Sequence, residues 1–259
     1  VKTFRSLPAV LIATACAATA AIKTEVVEYR DGDTVLQGFV AYDDAKAGKV
    51  PGVLVVHQWM GLTDYEKKRC EMLAELGYVA FAVDIYGKGV RPANTGEAGG
   101  LAGKYKGDRA LLRRRVNAGF ETLKGLPKCD TAKTAAIGYC FGGTTALELG
   151  RSGAPLSGIV SFHGGLSTPT PADAANIKGK VLALHGADDP FVPPAEVAAF
   201  EQEMRTAKCD WQLVAYGGAV HSFTQAAAGN DNSKGAAYNE KADKRSWAAM
   251  KEFFAEIFR

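Results

Sequence analysis

Apolar residues in this chain fall into two alternating patterns, and the alternation predicts its architecture. Residues 26–29 and 35–40 carry β-branched and aromatic side chains and flank Asp31-Gly32-Asp33, a hairpin signal. Val53-Leu54-Val55-Val56 is apolar at every position, as expected of a strand covered on both faces. Helical spacing follows, with Cys70, Met72, Leu73 and Leu76 on one side; Asp64 is the expected cap and Gly77 the stop. Residues 78–83 return as a strand, the glycine-rich stretch 87–107 is expected to be a long loop, and 108–123 a helix. An apolar run through Ala135-Ala136-Ile137 ends at Gly138, and a helix is expected from Phe141 to Gly150. Strands at 158–162, 181–184 and 211–216 and helices at 194–207 and 237–258 complete the pattern.

Strand–helix alternation implies right-handed crossovers and a mostly parallel sheet with helices on both faces. The opening hairpin supplies an antiparallel edge. The length of 259 residues suits one large α/β domain, expected over 21–259. In such sheets reactive groups gather where strands end and helices begin.

The first twenty residues stand apart from this pattern. Lys2 and Arg5 precede an apolar run from Leu7 to Ala15, and Ala18-Thr19-Ala20 gives an A-x-A cleavage site. The run is short for a membrane span. Residues 1–20 are therefore expected to be a cleaved export signal, with a periplasmic or secreted product and no membrane contact after cleavage. Cys16 raises lipid attachment, but Ala13 stands where an acylation signal wants a larger aliphatic residue.

A net charge of +3, with lysines and arginines scattered, argues against a nucleic-acid partner. The cluster Arg113-Arg114-Arg115 reads as a solvated helix face. Four cysteines remain after residue 20, at 70, 129, 140 and 209, and their spacing fits no zinc pattern. Cys129 and Cys209 each sit in Lys-Cys-Asp. A disulfide between them is the alternative; separate thiols are the expectation.

One stretch carries chemistry. Gly138-Tyr139-Cys140-Phe141-Gly142-Gly143 joins a strand directly to a helix and has the form of the G-x-S-x-G nucleophile elbow with cysteine for serine. Glycines two residues either side let the strand and helix approach. The helix start turns N–H groups and a positive dipole end towards the sulfur, which favours thiolate. A buried cysteine on a glycine-rich turn is the alternative for this motif alone. A thiol nucleophile needs a base and an orienting acid. Of the histidines at 57, 163, 185 and 221, His221 lies in a loop just past the last strand, while His163 and His185 also end strands. Asp188-Asp189-Pro190-Phe191-Val192-Pro193 follows the preceding strand. The prolines fix the loop after Asp189 and favour it over Asp188. The order is nucleophile, acid, histidine.

With these residues the chain resembles the dienelactone hydrolase family, with the α/β-hydrolase fold, over roughly residues 25–258. The matching segments are the elbow, Asp189-Pro190-Phe191-Val192-Pro193, and Gly218-Ala219-Val220-His221-Ser222-Phe223. His57-Gln58-Trp59-Met60-Gly61, Glu75-Leu76-Gly77-Tyr78 and Asp84-Ile85-Tyr86-Gly87 match as well. The resemblance implies Cys140 as nucleophile, His221 as base, Asp189 as its partner, and backbone N–H groups of Phe141 and Trp59 as the oxyanion hole. Two departures bear on the substrate. Gln58 stands where dienelactone-cleaving members carry a glutamate, and Lys88 and Gln225 stand where they hold the substrate carboxylate with arginines.

The expected activity is cleavage of a small ester or lactone through a thioester, with no metal or organic cofactor, by a monomer or small homo-oligomer. Gln58, Tyr86, Lys88, Tyr139, Phe191 and Phe223 are the expected pocket residues. A thiol-based redox or detoxification protein lacks a nearby resolving cysteine here. A non-catalytic binder would need neither the acid nor the histidine.

Overall fold

The structure, a computed structural model, describes residues 21–259, so the expected export signal and Cys16 lie outside the described residues. β1 (Ile22–Asp31) and β2 (Thr34–Asp43) pair antiparallel along their whole length around the turn at Gly32-Asp33. The remaining elements follow in order: β3 (Val50–Val56), α1 (Asp64–Glu75), β4 (Val79–Val83), α2 (Thr95–Gly107), α3 (Arg109–Gly125), β5 (Cys129–Tyr139) and α4 (Phe141–Arg151). Then come β6 (Gly158–Phe162), β7 (Lys180–Gly186), α5 (Pro194–Ala207), β8 (Trp211–Tyr216) and α6 (Glu240–Ile257). The eight strands lie in the order β1-β2-β4-β3-β5-β6-β7-β8. From β4 to β8 every pairing is parallel, and β2 meets β4 antiparallel. This is the mostly parallel sheet with an antiparallel edge that the pattern predicts.

Alternate residues of one strand feed opposite cores. Val53 and Val55 pack with Cys70, Leu73, Met250 and Phe254 of α1 and α6. Leu54 and Val56 pack with Leu112, Val116 and Phe120 of α3, Leu147 of α4 and Phe200 of α5. The central strands are thus buried on both sides, which is why β3 reads as an unbroken apolar run.

Two expectations are corrected. Thr63, not Asp64, caps α1: its hydroxyl accepts from the Tyr65 N–H, and Glu66 reaches back to the Thr63 N–H at 2.8 Å, closing a capping box. The segment expected as a loop contains α2, although five of its thirteen residues are glycine. Asn94 caps it by accepting from the Glu97 N–H at 3.0 Å, and Ala98, Ala102 and Tyr105 bury one side. Tertiary packing of that side outweighs the poor helix propensity of glycine. Cys70, Cys129, Cys140 and Cys209 are all free thiols, and the Cys209 thiol donates to the Ala174 carbonyl at 3.5 Å. The disulfide alternative is not formed.

Candidate active site

Cys140 stands alone between the last residue of β5 and the first of α4, with φ 56° and ψ −116°. A left-handed conformation at a non-glycine residue costs on the order of 1–3 kcal/mol and persists only where neighbours enforce it. Here the Cys140 N–H is held by the Phe162 carbonyl at 3.0 Å, and its own carbonyl accepts from the Gly143 N–H at 3.0 Å. The flanking glycines permit the turn. A Cβ on Gly138 would lie 1.9 Å from the Gly142 oxygen, and one on Gly142 would lie 2.1 Å from the Val56 oxygen. No side chain fits either place, so the elbow is welded to the end of β3 by backbone contact.

The predicted partners converge. Asp189 follows β7 and His221 follows β8. The His221 Nδ1 lies 2.8 Å from an Asp189 carboxylate oxygen, while the other oxygen accepts from the Phe191 N–H at 2.8 Å. Asp188, the competing acid, is exposed and accepts from the Gly218 N–H at 3.0 Å, so it shapes the loop instead. The His221 backbone is itself pinned, donating to the Gly235 carbonyl and accepting from the Ala237 N–H. That clamp comes from the segment after β8, which the sequence pattern did not single out.

Charge completes the arrangement. Burial pushes the Cys140 thiol up, but the His221 charge and hydrogen bond, the Phe141 N–H and the Lys106 ammonium together hold it below its ordinary value. Burial pushes His221 down, but the sulfur's charge and hydrogen bonds to Asp189 and Cys140 raise it to about 10. Both shifts run in the direction that favours a thiolate–imidazolium pair. Lys106, on the last turn of α2, is a contributor that sequence reading missed because its helix was expected to be a loop.

Two backbone N–H groups are expected to form an oxyanion hole. The Phe141 N–H bears on the sulfur. No protein acceptor among the described residues takes the Trp59 N–H, and the Tyr86 hydroxyl donates to the Trp59 carbonyl at 2.9 Å. Trp59 is 36% exposed and Phe191 60% exposed, and the Phe191 ring stands perpendicular to His221 with centroids 5.5 Å apart. Two aromatic side chains therefore meet solvent, that of Phe191 directly against His221. Gln58 is buried at the end of β3, and its carboxamide bonds to no protein group among the described residues.

Three expected pocket residues lie elsewhere. Tyr139 is fully buried beneath the elbow, stacked on Phe162 at 4.7 Å and edge-on to Tyr65, because a strand's last residue alternates to the face away from the thiol. Phe223 is fully buried against His163 and Tyr216. The Lys88 ammonium pairs with Glu28 on β1. Gln225 caps a short turn at Ala226–Ala228. His163, with φ 40°, packs edge-on to His221, and its Nε2 meets the Thr224 hydroxyl at 2.7 Å, which in turn meets the Tyr65 hydroxyl at 2.6 Å. Burial and the His221 charge push His163 well down, so it is neutral. His185 is buried beside the acid's loop with no partner for Nδ1.

Among the described residues, no group of three or more His, Cys, Asp or Glu could hold a metal ion, and no helix is long and apolar enough to cross a membrane. A model of the dienelactone hydrolase family matches residues 36–258. A crystal structure described as a dienelactone hydrolase-like promiscuous phosphotriesterase from metagenomic libraries is 43% identical, with TM-score 0.87, covering 92% of this chain and 99% of that one. A putative carboxymethylenebutenolidase of Synechocystis sp. is 27% identical over 250 residues, covering 91% of this chain and 98% of its own length. A putative dienelactone hydrolase from Klebsiella pneumoniae, 22% identical with TM-score 0.78, shares the fold; the match covers 91% of this chain and 99% of that one.

Proposed function

The chain belongs to the dienelactone hydrolase family and has its α/β-hydrolase fold, and from that premise we propose that it cleaves small carboxylic esters or lactones through Cys140, His221 and Asp189. The observation that carries this is the 2.8 Å contact of His221 Nδ1 with Asp189, beside a thiol held in a left-handed elbow and depressed by the same histidine.

The thiolate attacks the carbonyl carbon, forming a C–S bond, and the π electrons move to oxygen. The N–H groups of Phe141 and Trp59 receive that charge; such donors are each worth roughly 3–4 kcal/mol when aimed at it. On collapse the C–O bond breaks and the His221 imidazolium protonates the leaving oxygen. Acylation removes the sulfur's negative charge, a chief reason that His221 holds its proton. In the thioester His221 is therefore a free base able to activate water, and hydrolysis returns the acid and the thiol. A thiolate leaves readily itself, so lactones, enol esters and aryl esters are favoured over amides. Trp59 and Phe191 supply flat apolar contact for such groups.

Hydrolysis is favoured over a redox role by the histidine–carboxylate pair, which thiol oxidation does not need. A second substrate class, aryl phosphotriesters, is favoured by the 43% identical promiscuous phosphotriesterase. The sulfur would attack phosphorus and expel the aryloxide. Export of the chain after removal of residues 1–20, and action as a monomer or small homo-oligomer, complete the proposal.

The test is hydrolysis of 4-nitrophenyl acetate and of an aryl phosphotriester by wild type and Cys140→Ala. Ester turnover lost in the variant supports the proposal. Turnover that survives places the chemistry elsewhere, and a wild type inactive on every ester and lactone tried sinks it.

A further inference from the structure

The residues around Trp59 form a pattern that the triad does not explain. His57 is fully buried, with its ring between Tyr86, edge-on at 4.7 Å, and Phe141, stacked at 5.8 Å. Both ring nitrogens are engaged. The Ile85 N–H donates to Nε2 at 3.2 Å, so Nε2 is the unprotonated nitrogen. The proton is then on Nδ1, which donates to the Gln58 carbonyl at 2.6 Å. The same carbonyl accepts the Gly61 N–H at 3.1 Å.

That carbonyl shares a peptide plane with the Trp59 N–H. A peptide is planar and trans, so its N–H points opposite to its C=O; the described chain has no cis bond. Two donors on the Gln58 oxygen therefore aim the Trp59 N–H. The planes on either side are fixed as well. The Gln58 N–H is held by the buried Glu66 at 3.1 Å, and the Trp59 carbonyl by Tyr86 at 2.9 Å. Three consecutive peptides are thus locked, and in the middle one the N–H is the group left free.

We infer that His57, as its neutral Nδ1–H tautomer, is a positioning residue that aims the Trp59 N–H at the oxygen of the tetrahedral adduct on Cys140, with Glu66 and Tyr86 fixing the adjoining peptides. This rests on Cys140 as the attacking nucleophile. His57 touches no substrate; it acts through a peptide plane. Burial, which disfavours its charged form, keeps the imidazole neutral in this role.

His57→Phe keeps an aromatic ring between Tyr86 and Phe141 and removes both hydrogen bonds. His57→Asn offers an amide N–H near the place of Nδ1. Three rates or affinities distinguish the inference from general damage. Turnover of 4-nitrophenyl acetate reports the oxyanion hole. So does affinity for a small aryl trifluoromethyl ketone, to whose carbonyl carbon the thiolate adds, leaving the charge on oxygen with no turnover. Alkylation of Cys140 by iodoacetamide displaces iodide and makes no oxyanion, so it reports the thiolate alone.

In His57→Phe, kcat and ketone affinity are expected to fall together by about 10–100-fold, short of the full loss of one donor. KM and the alkylation rate stay within about twofold, and His57→Asn recovers most of the loss. If His57→Phe does not fold, His57→Gln, which reaches the Ile85 N–H but not the Gln58 carbonyl, carries the same expectation. Full turnover and ketone affinity in the variant overturn the inference, as does alkylation falling in step with turnover. A wild type that binds the ketone, with affinity lost in the variant, but turns over no ester upholds the aiming and sinks the hydrolase. A wild type that does neither overturns both.

Discussion

The two ends of α4 are roughly 16 Å apart at the rise of an α-helix, and both hold charged groups out of water. At its start, Cys140 and His221 have hydrogen-bonding capacity left over, a backbone in the left-handed region, and proton affinities moved in opposite directions. At its end, Arg151 is fully buried and satisfied. Its Nε and Nη2 donate to the two oxygens of Glu203 on α5 at 2.7 and 2.8 Å, its Nη1 to Glu148 at 3.1 Å, and Nη2 also to the Leu166 carbonyl at 3.0 Å. The other oxygen of Glu148 accepts from Arg113 of α3 at 2.8 Å. Burial is common to both ends and does not separate them. What separates them is closure: Arg151 on α4 and the carboxylates it holds on α4 and α5 satisfy one another, and the nitrogens left without a hydrogen bond there belong to Arg109 and Arg113 of α3, whereas the thiol end leaves the Trp59 N–H and two exposed aromatic faces for something not in the chain.

Two substitutions break this comparison in opposite ways. Asp189→Asn should lower kcat for an aryl acetate by roughly 10³–10⁴-fold, because an amide can hold His221 in the wrong tautomer, while the thermal midpoint barely moves. Steady-state kinetics beside a melting curve checks it; a loss of stability matching the loss of rate would make Asp189 structural. Arg151→Ala should do the reverse. It strands Glu203 in the interior and leaves Glu148 with Arg113 alone, and should cost about 3–5 kcal/mol of stability in a urea titration. Cys140 alkylation per folded molecule should be unchanged at low temperature. A variant of normal stability but low activity would mean that the far end of α4 is tied to the chemistry.

Much of this was legible in the sequence because it is local. Strand–helix alternation gave the sheet, and Cys140, Asp189 and His221 each follow a strand, so their convergence needed only the order of elements. What was not legible depends on partners distant in the chain. Lys88 matched an anchor position but pairs with Glu28, 60 residues away. Tyr139 and Phe223 sit one residue from the thiol and two from the histidine, yet face the opposite core, which proximity in sequence does not reveal. α2 forms against local preference, by burying Tyr105 against Tyr86, and so lets the Lys106 charge act on the thiol. The signal Thr63-x-x-Glu66 was present as a capping box and would have found Glu66, but not its second bond to the Gln58 N–H.

The thiol end has its own internal test, a displacement along the pH axis. Cys140 is depressed below 9.0, so alkylation by iodoacetamide should rise with pH through a midpoint below 9.0 and then stay level. His221 keeps its proton up to about 10 in the free enzyme. The kcat/KM of an alkyl ester, whose alkoxide needs that proton to leave, should rise with the same acid limb but fall again as pH passes about 10. The two profiles therefore agree at low pH and separate at high pH. In His221→Ala the influences that lower the thiol most are gone and burial, which raises it, stays; the alkylation midpoint must move up. Arg151→Ala, which leaves every group at the thiol end in place, should not shift it. A midpoint unmoved in His221→Ala would show that the thiol is not paired with this histidine, and the distinction between the two ends of α4 would lose its electrostatic half.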